Sequence, residues 1–294
     1  MGELVATAVV AHQPMIMVPK RFRVKLGETG ADTTLVDPGF RLLREAFAEL
    51  RVDTFVIIDT HWFTTTEHVI AGAEHFRGLY TSEEMPRNIC DLPYDYPGAP
   101  ALARAWHAAG KQRGLFTINV TASSLPQHYA TLNLVQHLRT EERVLSCGVV
   151  QTAERDDFLA LGAALREAIV AVPGRVAILG SGGMSHTFWP LRKIREHFGY
   201  DPRHVISAEA FEADQQVLDD WKAGDHARVV ERYPDYLRRF KPEGRFAHYL
   251  IALGAMGGVE CRVRGEQLSA YENAVGTGQV HVLFRTTDPQ EQNT

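Results

Sequence analysis

Three short stretches of this 294-residue chain are apolar almost throughout, not at alternate positions: Leu4–Val10 (LVATAVV), Thr54–Ile58 (TFVII) and Arg175–Leu179 (RVAIL). A strand with one face in water alternates apolar and polar residues. Runs like these fit strands buried on both faces, the condition of a largely parallel sheet covered by helices. Shorter strand patterns occur at Glu67–Ala71, Phe116–Val120, Val144–Val150 and Gln279–Phe284. Helical spacing fits Pro38–Leu50, Ala99–Gly110, Thr131–Leu138, Asp156–Val172, Ala208–Ala223, Gly224–Tyr233 and Glu243–Met256. The alternation predicts an α/β fold: one domain over residues 1–287, with a central mixed sheet flanked by helices. DPQEQNT, residues 288–294, reads as a polar C-terminal tail. Residues 77–100, rich in Pro, Tyr and acid, read as a long irregular loop, with Tyr80, Tyr94 and Tyr96 lining an entrance or packing it down.

Composition narrows the class of partner. The 31 basic and 36 acidic residues give a net charge of −5, without the basic excess that phosphate binding needs, so no nucleic-acid partner is expected. No run approaches the ~18 apolar residues of a spanning helix, so no membrane partner is expected. The first residues lack a basic n-region and read as a strand. Three scattered cysteines (Cys90, Cys147, Cys261) make neither a disulfide framework nor a thiolate cluster, which predicts a cytoplasmic location.

The 13 histidines are an excess, and three of them have telling positions. His12 follows the first apolar run (VVAHQP) and His61 the second (VIIDTHW). His186 follows the third through a small-residue turn (ILGSGGMSH). In open α/β sheets ligands bind beyond the carboxyl ends of the strands, so the three can converge there. Imidazole suits Zn, Cu, Fe and Ni, and two histidines with one carboxylate form the facial triad of non-haem Fe(II) oxygenases. Glu243 is one acid that could complete it, although an acid in a first helical turn is also favoured by the helix dipole alone.

Taken in order, AHQP, DTHW, GSGGMSH and the closing VGTGQVHVLF make the chain resemble the class III (LigB-type) extradiol ring-cleaving dioxygenases over nearly its full length. The stretch DTHWFTTTEHVIAGAEHFRGLYTSEEMP and the GTGQV ending look most like the 3,4-dihydroxyphenylacetate (homoprotocatechuate) 2,3-dioxygenases of this class. The resemblance implies a LigB-like catalytic domain that binds Fe(II) through His12, His61 and Glu243, with Glu272 in AYENAVGTGQ as the fallback carboxylate. It implies that His186 is the acid/base, accepting a phenol proton and later returning it. Tyr129, in QHYATL, stands where several relatives carry a second active-site histidine, and is expected to donate to bound substrate or oxygen. His128, His248 and Arg245 are the candidates for gripping a substrate carboxylate.

The implied reaction is cleavage beside the diol of a catecholic substrate by O2. The expected conversion is of 3,4-dihydroxyphenylacetate to 5-carboxymethyl-2-hydroxymuconate semialdehyde, in aromatic-compound catabolism by a homo-oligomer. The alternatives are a 2-aminophenol, a gallate-like acid or an alkyl catechol as substrate, and a non-catalytic homologue. A serine hydrolase built on Ser181 or Ser185 lacks the G-x-S-x-G elbow, since Leu179 occupies its first position. GSGGMSH also lacks the G-x-G-x-x-G order of a dinucleotide site.

Overall fold

The computed structural model describes residues 1–18 and 33–287, so the expected tail at 288–294 lies outside the described residues. An eight-stranded mixed sheet runs through the molecule in the order β6-β3-β7-β2-β8-β1-β12-β9. Its centre is β2 (Thr54–Thr64), β8 (Arg175–Ser181) and β1 (Glu3–Val10), paired in parallel; β7 (Arg143–Val150) lies parallel on the far side of β2. β3 (His68–Ala71) and β6 (Thr117–Val120) complete one edge. β12 (His281–Arg285) and β9 (Gly265–Gln267) complete the other in antiparallel register. The expected strand Gln279–Phe284 divides at Val280: β11 (Thr277–Gln279) instead pairs with β10 (Glu272–Ala274) in a separate ribbon.

The uniform apolar runs have the predicted cause. On β2, Val56 and Ile58 join one core and Phe55 and Ile57 the other; on β8, Val176 and Ile178 oppose Ala177 and Leu179 in the same way. The first core is covered by α2 (Pro100–Gln112), α4 (Arg155–Ala171), α5 (Ala208–Ala223), α6 (His226–Phe240) and α7 (Ala247–Met256). The second lies under α1 (Arg41–Glu49) and α3 (Tyr129–Leu138). Helix α7 is buried from Ala247 to Ala255 because α4 presses on it closely: a Cβ on Gly162 would lie 2.0 Å from the Ile251 carbonyl oxygen.

Three expectations change. The segment 77–100 is not one loop: β4 (His75–Tyr80) and β5 (Leu92–Pro97) pair as a hairpin, joined by an irregular connection over 81–91. Phe76, Tyr80 and Tyr96 alternate inward and are buried, so Tyr80 and Tyr96 pack the hairpin down. Helix α6 does not stop at Tyr233 but continues through Pro234 to Phe240, because Tyr233 and Tyr236 both bury against the core on the same face. Finally, Glu243 stands outside the late helix. Residues Glu243–Phe246 form a tight turn in which Gly244, Arg245 and Phe246 have φ of 54°, 60° and 62°. For residues other than glycine such backbone is costly, of order 1–3 kcal/mol each, and persists only where its surroundings impose it.

Candidate metal centre and substrate cavity

His12 lies just beyond the end of β1 at Val10, which pairs with Ser181 at the end of its parallel neighbour β8. Its Nδ1 lies 2.9 Å from Ser181 Oγ, and Ser181 Oγ lies 2.9 Å from the Ala130 carbonyl oxygen. A carbonyl only accepts, so the serine hydroxyl donates to it and accepts from His12 Nδ1–H. That fixes the tautomer and leaves His12 Nε2 with a free lone pair, 2.9 Å from Glu243 Oε1. Ser181 is therefore fully buried and committed, not a nucleophile facing substrate.

His61 lies within β2, three residues short of its end, where the register against β7 slips between Asp59 and Phe63. Such a bulge re-aims side chains. The fully buried Asp59 holds it: Oδ1 accepts from the His61 and Trp62 backbone N–H groups at 2.9 and 3.0 Å, and Oδ2 accepts from Thr131 N and Oγ1 at 2.8 and 2.6 Å. One carboxylate thus ties the bulge to the first turn of α3. His61 Nε2 lies 3.3 Å from Glu243 Oε1 and 2.7 Å from the Tyr129 hydroxyl.

Glu243 reaches this point because the left-handed turn swings it back over the sheet. Thr60 Oγ1 lies 2.8 Å from its Oε1, and Gly183 N donates to its Oε2 at 2.5 Å. The carboxylate is buried, and among the described residues it pairs only with histidines: His12, His61 and, at 3.7 Å, His186. Burial works to raise its pKa, but the neighbouring His12, His186 and His61 outweigh it and hold the group well below the usual carboxylate range. For His61, burial disfavours the charged form, yet the bond and charge of Glu243 raise the pKa overall. For His186 burial prevails and the pKa is lowered, which keeps the ring neutral at pH 7.

His12, His61 and Glu243 offer three ligand atoms within 4.8 Å of one another. Two imidazoles and a buried carboxylate without a cationic partner among the described residues are a donor set that fits a divalent transition metal. His186 joins from the other side, its ring edge against Phe188. These residues and Tyr129 line a cavity of about 400 Å³ whose other walls include Met15, Met85, Phe188, Ile194, Phe198 and Val275. Its mouth carries Glu84, 3.8 Å from His61 Nδ1.

Other expectations are corrected here. Glu272 is held away from the centre, accepting from Thr33 Oγ1 at 2.6 Å and from the backbone and hydroxyl of Thr34. His128, His248 and Arg245 do not line the cavity. His128 stacks on Trp62; His248 is fully buried against Gly182 and Phe246; Arg245 sits in the left-handed turn, its carbonyl accepting from the Tyr233 hydroxyl. Each neighbours a motif in sequence but turns from the cavity in space. Sequence reasoning missed Asp59 and Thr60 as supports, although both are printed in the DTHW motif. It considered Ser181 only as a nucleophile.

The fold has solved counterparts: an uncharacterized protein from Escherichia coli K12 superposes with a TM-score of 0.61 at 15% identity, covering 95% of this chain and 99% of that one. The 3,4-dihydroxyphenylacetate 2,3-dioxygenase of Escherichia coli is 26% identical over 260 residues, 87% of this chain and 91% of the relative. The 2-aminophenol 1,6-dioxygenase beta subunit of a Pseudomonas species is 22% identical over 294 residues, 94% of this chain and 92% of the relative. Residues 6–285 match the family described as the catalytic LigB subunit of aromatic ring-opening dioxygenase, and the chain belongs to that family.

Proposed function

We propose that this protein is an Fe(II)-dependent extradiol dioxygenase that cleaves a catechol with O2, with 3,4-dihydroxyphenylacetate as the first substrate to test. The observation that carries the reading is the convergence of His12, His61 and Glu243 at the floor of a cavity that His186 also lines. Bound there by His12 Nε2, His61 and the Glu243 carboxylate, Fe(II) would supply a Lewis acid that acidifies a phenol and a template for substrate and O2. The chain's residues do the rest. His186, kept neutral by burial, is the base that takes the phenol proton and later returns it. Tyr129 is held as the phenol, since burial and Glu243 raise its pKa well above the ordinary value; its hydroxyl stands 2.7 Å from His61 Nε2, placed to donate to bound substrate or oxygen. The apolar wall of Phe188, Ile194, Phe198 and Val275 receives the ring and excludes water.

The test is anaerobic reconstitution with Fe(II), then addition of 3,4-dihydroxyphenylacetate and O2. The expected result is a yellow semialdehyde with stoichiometric oxygen uptake. No product with any catechol or aminophenol refutes the reading and favours a non-catalytic homologue. A second substrate reading has its own support: among the described residues no Lys or Arg lines the cavity, and Glu84 stands at its mouth. A neutral alkyl catechol or a 2-aminophenol fits that wall without a cation; kcat/KM across such a panel decides. A reducing cytoplasm suits the three free cysteines, and among the described residues no helix is long and apolar enough to cross a membrane. The expected homo-oligomer is checked by light scattering.

A further inference from the structure

The molecule buries a second carboxylate that the proposed chemistry does not use. Asp214, on α5, is fully buried, and among the described residues no Lys or Arg pairs with it. Burying a charge without a cation is costly unless hydrogen bonds satisfy it. Here the donors come from three parts of the chain: the Ser185 backbone N–H (3.1 Å to Oδ1) and hydroxyl (2.7 Å to Oδ2), the Tyr236 hydroxyl (2.6 Å to Oδ1) and the Tyr271 hydroxyl (2.5 Å to Oδ2). A carboxylate that gathers four donors from three parts of the chain calls for an explanation.

The explanation lies one residue along. Ser185 precedes His186, and His186 stands on an irregular turn after β8, not on a strand or helix. The backbone there is clamped from other sides too: His186 N donates to the Phe240 carbonyl at 3.0 Å, and Gly278 N donates to the Ser185 carbonyl at 2.9 Å. Phe240 belongs to α6, the helix that also carries Tyr236, so Asp214 joins α5, α6 and the turn into one rigid unit. No contact between Asp214 and the His186 ring is needed for this.

We propose that Asp214 is a positioning residue for His186: gripping Ser185 N–H and Oγ between Tyr236 and Tyr271, it fixes where the imidazole meets the substrate proton. This rests on the reading of His186 as the acid/base group. A displacement near 1 Å can cost about 10²-fold in rate. Asp214→Asn keeps the shape but turns an amide N–H toward donors.

In the Fe(II)-loaded enzyme Asp214→Asn is expected to lower kcat about 10- to 100-fold, with KM within about twofold and iron content unchanged. In a His186→Ala background the same change should cost nothing further. If Asp214→Asn fails to fold, Ser185→Ala takes its place, with a smaller loss and the same dependence on His186. A kcat unchanged by the substitution, or an equal loss without His186, overturns the proposal. A second readout needs no turnover. With histidines labelled at Cε1, the His186 resonance of metal-free Asp214→Asn is expected to shift or broaden while those of His12 and His61 stay. An unmoved His186 signal overturns the proposal. Failure of the wild type on every catechol and aminophenol instead removes the functional reading and leaves this measurement standing.

Discussion

Asp59→Asn tests how the centre is assembled. The carboxylate accepts four hydrogen bonds, two from the bulge that carries His61 and two from Thr131. The amide is isosteric but has one acceptor oxygen. That oxygen is best kept against the two backbone N–H groups of the bulge, leaving its NH₂ facing Thr131. The Thr131 hydroxyl can rotate and accept; the Thr131 N–H cannot. Stranding one buried N–H costs about 1–3 kcal/mol, and losing the charge roughly halves the strength of the bonds that remain. The expected destabilisation is about 3 kcal/mol, a fall in Tm of about 6 °C at the sensitivity of large domains. Because the same bonds orient His61, metal affinity should fall about 10- to 100-fold as well. Calorimetry and anaerobic Fe(II) titration measure the two effects on one sample. A Tm within 2 °C of wild type would refute the accounting of the bonds. An unchanged affinity with a lowered Tm would refute the claim that the bulge aims His61.

Three further outcomes follow from the same geometry. His12→Ala and His61→Ala should each purify without bound iron after reconstitution. His186→Ala should keep its iron and lose about 10²- to 10⁴-fold in kcat; an empty centre in His186→Ala, read by elemental analysis, would overturn the division of roles. Ser181→Ala removes the group that holds His12 as the Nδ1–H tautomer, and should weaken metal binding about 10-fold or more with the cavity unchanged; affinity equal to wild type would refute the tautomer argument. Stability should fall on acidification below pH 6.5. Burial pushes the His68 pKa down to about 4 and the His281 pKa to about 3, so the native protein keeps both rings neutral while the unfolded chain takes up protons. Each contributes a loss of about 1.4 kcal/mol per pH unit between the unfolded and folded values. Urea midpoints at pH 7.5 and 5.5 check this, and equal midpoints would show that neither ring is held neutral.

Much of the fold was legible because burial on both faces leaves a mark that needs no tertiary information. The runs at β1, β2 and β8 have no polar alternation to hide, and strands of that kind need helices on both sides. What stayed illegible depended on partners distant in sequence. The hairpin of β4 and β5 reads as a loop because Pro93 and Pro97 punctuate it; its strand character shows only when Phe76, Tyr80 and Tyr96 find a core. His281 is similar. Its Nδ1 accepts from the Ala11 N–H and its Nε2 faces the Leu35 carbonyl, so it staples β12 to the residue before His12. No spacing in the chain announces a pairing across 270 positions.

The site divides along the same line. His12 and His61 were readable because the sheet delivers them: in a parallel sheet each strand end opens on the same edge, so position along the chain gives position in space. Glu243 is delivered otherwise. Had residues 243–256 continued as one helix, the carboxylate would follow the axis of α7. Three consecutive residues with positive φ break that helix, and only Gly244 among them is free of a Cβ penalty. That cost is sustained because the turn is held at several points: Glu243 N donates to the Met184 carbonyl, Tyr233 Oη donates to the Arg245 carbonyl, and Phe246 is buried against Trp221 and Tyr249. The turn separates the fates of neighbours, sending Glu243 to the histidines, Arg245 toward Tyr233 and His248 into the core. A sequence pattern can nominate a carboxylate for such a centre. Deciding between Glu243 and Glu272 takes the packing that imposes the turn, and that packing is spread over α6, α7 and the turn after β8.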